Sequence, residues 1–406
     1  MKIILIVDDD PFIAEIYQAK FQAAGFAVDV AASGRRALVL LGERVPDVML
    51  LDLSLGDMTG VKLLEIIRAN PAMRAMPVVV LSNAYMGNLL QAARRAGASR
   101  CLNKGLCAPD RVVEEVCLAL GAEAAPARPV PVYRPASVLV APSEPPEPSA
   151  LRLAPQPERG TLDEERLQGQ LRGRLLEIIH TRMSEARRTV QQWQAAPEQF
   201  SIILPQFRRT IHVLADSATL AGLTRLSQLA SALEALLLEV ELDSPKVSVS
   251  ALRTTMQATE LMAEILRPPV AGPAGLIDQP SILVVDDDPI SRAAICHSLE
   301  TAQLRAISVG DPRQAVALFA ENAFDLVFLD VDMPGMDGFA VCDRLHASES
   351  NAATPVVFVT AMKDFETCLR SSRTGAVDFI NKPLVLAEFA LKALIHLDRG
   401  RLLAAV

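Results

Sequence analysis

Residues 4–11 read ILIVDDDP, and residues 282–289 read ILVVDDDP. An apolar run that stops at three consecutive aspartates looks like a buried strand ending at a charged pocket, and here it occurs twice. Moving outward, VMLLDLSLGDMTG from Val48 returns as LVFLDVDMPGMDG from Leu326. The spacing is ungapped: Asp8 and Asp286, Asp52 and Asp330, Ser82 and Thr360, and Lys104 and Lys382 all stand 278 residues apart. Self-similarity at a fixed offset marks a duplicated unit, so one kind of domain occupies both ends of the chain.

In the first copy the apolar runs fall at 3–7, 27–31, 48–51, 78–81 and 99–102, with amphipathic helical stretches between them. Runs apolar on both faces and separated by helices predict βαβ units and a parallel sheet. Five such units predict a flavodoxin-like doubly wound (βα)5 domain, whose ligands bind beyond the carboxyl ends of the strands.

Between the copies the composition changes twice. Residues 121–160 are dense in Pro, Ala and Glu and are expected to form an extended, semi-rigid spacer; a shorter linker is expected at 268–280. The block at 161–267 has helical periodicity throughout. Leu167, Leu171, Leu175, Ile178 and Ile179 form one stripe, and Leu223, Leu226, Leu229, Ala230, Leu233 and Leu237 another. Several such helices with short connections predict an antiparallel bundle. The expected organisation is α/β plus all-α: domains at 1–120 and 281–397 flank the bundle, and 398–406 extends the last helix.

The 406 residues carry a net charge of −8 and a pI near 5.3, which argues against nucleic acid as the default partner. The pairs Arg187-Arg188 and Arg208-Arg209 read as solvated helix faces or contacts to an acidic partner. Six cysteines with no CxxC pairing suggest small core residues in a reducing compartment rather than disulfides. The apolar start is too short for a secretion signal and runs into Asp8-Asp9-Asp10. No stretch is long enough to span a bilayer, and a cytoplasmic protein is expected.

In the expected fold, Asp8 and Asp9 end the first strand, Asp52 the third, Ser82 the fourth and Lys104 the fifth. Their counterparts are Asp286, Asp287, Asp330, Thr360 and Lys382. Three carboxylates in one crevice repel and call for a cation; oxygen donors without His or Cys select Mg²⁺. A carboxylate beside that ion is a competent nucleophile for phosphoryl transfer. The lysine and the hydroxyl suit the equatorial oxygens as charge spreads over them.

With these residues in place, both copies resemble response-regulator receiver domains. The resemblance implies that Asp52 and Asp330 are phosphoacceptors, that Asp8-Asp9 and Asp286-Asp287 hold Mg²⁺, that Ser82 and Thr360 are the signalling hydroxyls, and that Lys104 and Lys382 pair with phosphate. The second copy keeps the family's DMPGMDG loop, Lys382-Pro383 and an aromatic switch residue, Phe379. The first departs at Leu55-Gly56, at Lys104-Gly105 and at Cys101 in the switch position, so its output is expected to use a different surface.

The segment RTIHVLADSATLAGLTRL, from Arg209 to Leu226, places His212 on a helix ahead of a leucine-striped one. It resembles a histidine phosphotransfer (HPt) domain, which implies a four-helix bundle presenting His212 to a receiver. An imidazole suits that role, because one nitrogen attacks while the other is held. Where that family has Lys and Gly at the third and fourth residues after the histidine, this chain has Ala215 and Asp216. Asp216 lies one turn on, where it adds bulk and negative charge near the arriving phosphoryl group and, in compensation, orients the imidazole or raises its basicity. His180 lacks the surrounding pattern, and His297, His346 and His396, on helices of the second copy, read as ordinary surface histidines.

No ATP-binding motif, helix-turn-helix or separate catalytic domain is recognised, so the chain is read as a non-enzymatic receiver–HPt-like–receiver phosphorelay protein. Its expected partners are a histidine kinase or HPt protein and a downstream receiver or output protein, with a homodimer also open and no nucleic acid or membrane. Two alternatives stay open. In one, the bundle is an inert scaffold between two receivers. In the other, the chain is the regulatory front of a longer enzyme such as a diguanylate cyclase, with the apolar face of the helix in 390–406 awaiting a partner.

Overall fold

A computed structural model describes residues 1–82, 87–104, 107, 109–121, 161–196, 199–243, 248–267, 280–361 and 378–404. The spacers expected at 121–160 and 268–280 fall almost wholly outside these residues, as do Gly105 and the side chains of Leu167 and Leu171.

The first α/β domain runs β1 (Ile3–Val7), α1 (Pro11–Ala23), β2 (Ala27–Ala31), α2 (Gly34–Glu43), β3 (Val48–Asp52), α3 (Gly60–Ala69), β4 (Val78–Ser82), α4 (Gly87–Arg95), β5 (Arg100–Asn103) and α5 (Pro109–Gly121). All strands pair in parallel, in the order β2-β1-β3-β4-β5. The central strands β3 and β4 are buried along their whole length, which is why they read as unbroken apolar runs. The third aspartate of the DDD run starts α1 rather than joining the pocket. Asp10 accepts hydrogen bonds from the backbone N–H of Phe12 and Ile13, with Pro11 in the first turn, and Asp288 and Pro289 repeat the device. Gly60 and Gly338 stand where α3 and its counterpart meet the acceptor strand, and a β-carbon there would overlap the carbonyl oxygen of Asp52 or Asp330.

The bundle consists of α6 (Thr161–Ala195), α7 (Phe200–Leu220), α8 (Thr224–Asp243) and α9 (Val249–Ile265). Leu226, Leu229, Ala230, Leu233 and Leu237 of the second stripe are buried in its core, as are Leu175 and Ile179 of the first. Trp193 and Phe207 meet edge to face with centroids 4.6 Å apart. Gly222, at φ +73°, supplies the left-handed residue that lets α7 turn into α8.

The second α/β domain contains β6 (Ile282–Val285), α10 (Pro289–Thr301), β7 (Ala306–Val309), α11 (Pro312–Glu321), β8 (Leu326–Asp330), α12 (Gly338–His346), β9 (Val356–Thr360), β10 (Asp378–Asn381) and α13 (Leu386–Ala404). Its sheet order, β7-β6-β8-β9-β10, matches that of the first. One unbroken helix, α13, crosses the boundary expected at 397. Its apolar face is covered: Leu391 and Ile395 belong to the bundle core.

Both α/β domains pack on the bundle. Phe12 of α1 packs against the bundle core under the Arg174 guanidinium, 5.5 Å from the ring centroid. On the other side, the Glu239 carboxylate of α8 accepts from the free N–H groups of Leu386 and Ala387 at the start of α13, both at 2.9 Å.

Two expectations need correction. His396 is not a surface histidine: it is buried on α13, with Nε2 3.2 Å from Asp378 Oδ2, because that helix is sandwiched between sheet and bundle. Among the described cysteines only Cys342 is buried, and Cys117 is exposed.

Candidate functional site

The carboxyl ends of β1 and β3 bring Asp8 and Asp52 into one buried pocket, with Asp9 at its rim and Ser82 at the end of β4. Lys104 reaches in from beyond β5, with Nζ 3.0 Å from Asp52 Oδ2 and 3.6 Å from Asp8 Oδ2. Four of the five residues expected to act together, Asp8, Asp9, Asp52 and Lys104, therefore meet in one pocket, and Ser82 is buried at the end of the strand beside β3. The second pocket repeats this: Lys382 Nζ lies 2.8 Å from Asp330 Oδ2 and 3.9 Å from Asp286 Oδ2, with Thr360 buried and Asp287 exposed.

The bundle closes the first pocket. His212, on α7, is buried, and its Nε2 lies 3.2 Å from Asp52 Oδ2 and 3.9 Å from Asp9 Oδ1. Its Nδ1 is 2.9 Å from Glu234 Oε1 on α8. A carboxylate only accepts, so Nδ1 carries the proton and Nε2 faces the aspartate. Glu234 is itself fixed by the Ser54 hydroxyl, which donates to Oε1 at 2.7 Å, and Arg208 donates to that hydroxyl at 2.8 Å. Glu234 and Ser54 were not singled out in the sequence. The leucine stripe of α8 hides Glu234, although an acid at a fully buried position of that stripe was the available signal.

Asp216 does not orient the imidazole in the way its position on the helix suggested. It binds Lys104, Oδ2 to Nζ at 2.7 Å, while its distance to His212 Nε2 is 3.6 Å. A lysine from the α/β domain thus meets an acid from the bundle, at the position where the resemblance to an HPt domain implied glycine. Gly56 stands where the second copy has Pro334. A side chain there would overlap the Arg209 guanidinium, which lies 3.9 Å from Asp9. Of the two readings of Arg208-Arg209, the structure supports the acidic-partner contact.

Burial pushes the Asp8 carboxyl up to about 7, with Lys104 opposing. Burial acts the same way on Asp52, but Lys104 and His212 override it and hold that carboxyl well below the usual range. For His212, burial favours the neutral ring; Glu234 and Asp216 outweigh it and raise its basicity. In the second pocket burial lifts Asp286 to about 6, against the pull of Lys382.

Asp8, Asp9, Asp52 and His212 each bring a donor atom within 4.8 Å of the others, as do Asp286, Asp287 and Asp330. Asp9 Oδ1 and Asp286 Oδ2 are buried and make no hydrogen bond. Orphaned carboxylate oxygens among three acids, with an imidazole beside them only in the first pocket, fit a hard divalent cation.

The family model for the response regulator receiver domain matches residues 4–116 and 282–394, together more than half of the chain. The chain belongs to the response regulator receiver family. Among curated relatives, the DNA-binding dual master transcriptional regulator RpaA of Synechocystis sp. is 32% identical over 120 residues, 30% of this chain and 50% of RpaA. The transcriptional regulatory protein ZraR of Escherichia coli is 40% identical over 108 residues, 26% of this chain and 24% of ZraR. The sensor histidine kinase RcsC of Salmonella typhi is 30% identical over 170 residues, 42% of this chain and 16% of RcsC. The chain spans half or less of the length of these relatives. Among solved structures, the receiver domain of sensor histidine kinase PA1611 from Pseudomonas aeruginosa, described with a magnesium ion in its active-site cleft, is 28% identical. That match covers 29% of this chain and 98% of the other, with a TM-score of 0.26. Among the described residues no helix of either receiver or the bundle is long and apolar enough to cross a membrane.

Proposed function

We infer that the chain is a phosphorelay protein in which receiver 1 and the bundle exchange a phosphoryl group within one molecule, between Asp52 and His212. The observation that carries this is the 3.2 Å approach of His212 Nε2 to Asp52 Oδ2, with Nδ1 anchored on Glu234. With the Nδ1 proton held by Glu234, loss of the Nε2 proton leaves that nitrogen's lone pair pointing at the acceptor oxygen, as nucleophilic transfer requires. A phosphoryl group held in line between the two atoms, with the attacking atom about 3 Å from phosphorus, needs a wider gap, so the loaded pair stands farther apart.

The roles follow the residues. Asp52 and Asp330 accept phosphoryl groups; Lys104 and Lys382 neutralise the transferred oxygens, and Ser82 and Thr360 donate to them. Asp8, Asp9 and Asp52, and Asp286, Asp287 and Asp330, would hold Mg²⁺. Bound there, the ion would offset the charge that builds up on the phosphoryl oxygens. A histidine kinase or another phosphotransfer protein in the cytoplasm supplies the chain.

The test is to label the protein with acetyl phosphate and Mg²⁺ and separate acid-labile from base-labile phosphate in Asp52→Asn, Asp330→Asn and His212→Gln. Acid-labile label that disappears in both Asp52→Asn and His212→Gln, and persists in Asp330→Asn, is the expected result.

A second reading draws on the raised basicity of His212. A charged imidazole between Glu234 and Asp52 is also a clasp that fixes the bundle on receiver 1 without chemistry. Label confined to the two aspartates would select it.

A further inference from the structure

The acid pockets of the two receivers differ in their donor atoms. In receiver 2, Asp286, Asp287 and Asp330 form a cluster of carboxylates alone; in receiver 1, Asp8, Asp9 and Asp52 are joined by His212, which the bundle supplies from α7. The His212 side chain is buried, with 3% exposed, and its Nε2 faces these aspartates without making a hydrogen bond. Asp9 Oδ1 is likewise buried and unpartnered, 3.9 Å from that nitrogen. Two orphaned buried atoms from different domains thus face the same gap. Buried polar groups without partners are costly, and an ion between them satisfies both.

The imidazole is supported as a metal ligand is. A histidine that coordinates through one ring nitrogen donates the proton of the other to a carboxylate or carbonyl, which fixes the ring and makes the ligand more basic. Here Glu234 Oε1 lies 2.9 Å from Nδ1, the Ser54 hydroxyl donates to Glu234, and Arg208 donates to that hydroxyl. The spacing also suits short coordinate bonds, since bonds of about 2.0–2.2 Å set neighbouring donors about 3–3.6 Å apart. Nε2 and Asp52 Oδ2 are 3.2 Å apart, and Asp9 Oδ1 has only to close by a few tenths of an ångström. The pocket's own cation is drawn aside: Lys104 Nζ lies 2.7 Å from Asp216, nearer than to Asp52 at 3.0 Å or Asp8 at 3.6 Å.

Oxygen donors alone suit Mg²⁺, whereas an imidazole in the set favours the transition ions, Zn²⁺ and Co²⁺ among them. We propose that receiver 1 and the bundle together form a site for a divalent transition metal of the Zn²⁺ class, held by His212 Nε2 and the carboxylates of Asp8, Asp9 and Asp52. Such an ion pins the bundle to receiver 1. Receiver 2, with no imidazole at its cluster, has no equivalent. The proposal needs only the docked geometry; on the relay reading, the same ion also occupies the nitrogen that phosphoryl transfer uses, so Zn²⁺ holds the pair docked and inactive.

The test titrates the full-length chain with Zn²⁺ in excess Mg²⁺ and follows binding by calorimetry. One Zn²⁺ should bind tightly, and Asp330→Asn should leave that binding unchanged. His212→Gln should weaken it by at least about 100-fold and Glu234→Gln by about 10–100-fold, the range that loss of a carboxylate behind a liganding histidine costs. Both variants should keep Mg²⁺ binding, which needs only the carboxylates. Co²⁺ reads the contact directly in the unaltered chain. Proton NMR should show a strongly shifted, solvent-exchangeable resonance from His212 Nδ1–H, absent in His212→Gln. Zn²⁺ affinity unchanged by His212→Gln, or no such resonance with Co²⁺, overturns the proposal. Zn²⁺ binding that depends on His212 in a chain that forms no phosphohistidine would sink the relay reading and leave this site standing; phosphohistidine without such binding would do the reverse.

Discussion

At Glu234 a single carboxylate fixes the proton on Nδ1 of His212 and so aims Nε2 at Asp52. Glu234→Ala should cut phosphoryl exchange between Asp52 and His212 by about 10²-fold, the lower end of what positioned proton-transfer groups contribute. Rapid quench of acetyl phosphate-loaded protein checks it, and an unchanged rate would remove Glu234 from the mechanism. Lys104 bears the opposite burden, since Asp8, Asp52 and Asp216 all lean on one buried ammonium. Lys104→Met should destabilise the docked receiver by about 3–5 kcal/mol, the usual cost of leaving buried charges unpaired, and Mg²⁺ should restore part of it. Urea titration followed by Trp193 fluorescence measures both. At this scale the strand-end residues were legible because each has a counterpart 278 residues away. Glu234 and Ser54 were not: their roles exist only where α8 and the loop after β3 face each other, and no local pattern joins them.

Among the elements, α13 shows how the bundle holds receiver 2. Its start is capped from α8 by Glu239, and its buried face sets Glu388 against Ser250 and Thr254 of α9, with Lys392 and Asp378 close by. Burial lifts Glu388 to about 7, against the pull of Lys392, and burial lowers His396 below its ordinary value despite Asp378. The two groups act in opposite directions. For Glu388 the unfolded chain loses its proton first, so stability falls as pH rises from the unfolded value toward 7 and is regained on acidification. For His396 the unfolded chain gains a proton first, so stability is lost as pH falls below 6.5. Over about pH 7.5 to 5.5 the raised Asp8, Asp286 and Glu388 carboxyls should strengthen the intact protein on acidification, with His396 opposing. Relative to the intact protein, Glu388→Gln should gain less on acidification and His396→Gln should gain more, read as urea midpoints; the same pH slope in all three would contradict the assignment. The strands of both sheets and the helices of the bundle were readable from periodicity. The partner of α13 was not, because an amphipathic helix shows that it has an apolar face but not what covers it.

Across the whole molecule, the bundle is the shared body: one face holds the imidazole against receiver 1 and another takes the terminal helix of receiver 2. The repeat and the composition shifts made the three-part organisation readable in the sequence. The docking arrangement was readable only in outline, because the departures at Gly56 and Asp216 register as lost family features until the bundle is in place. Tethering the two domains in one chain makes exchange between them intramolecular. The most direct test of the account follows the appearance of acid-labile phosphohistidine after loading with acetyl phosphate and Mg²⁺, over roughly a 100-fold range of protein concentration, a span wide enough to separate first-order from bimolecular transfer. The account predicts a rate that does not depend on concentration, with no phosphohistidine in Asp52→Asn or His212→Gln. A rate that climbs in proportion to concentration, or no phosphohistidine in the unaltered chain, would contradict it.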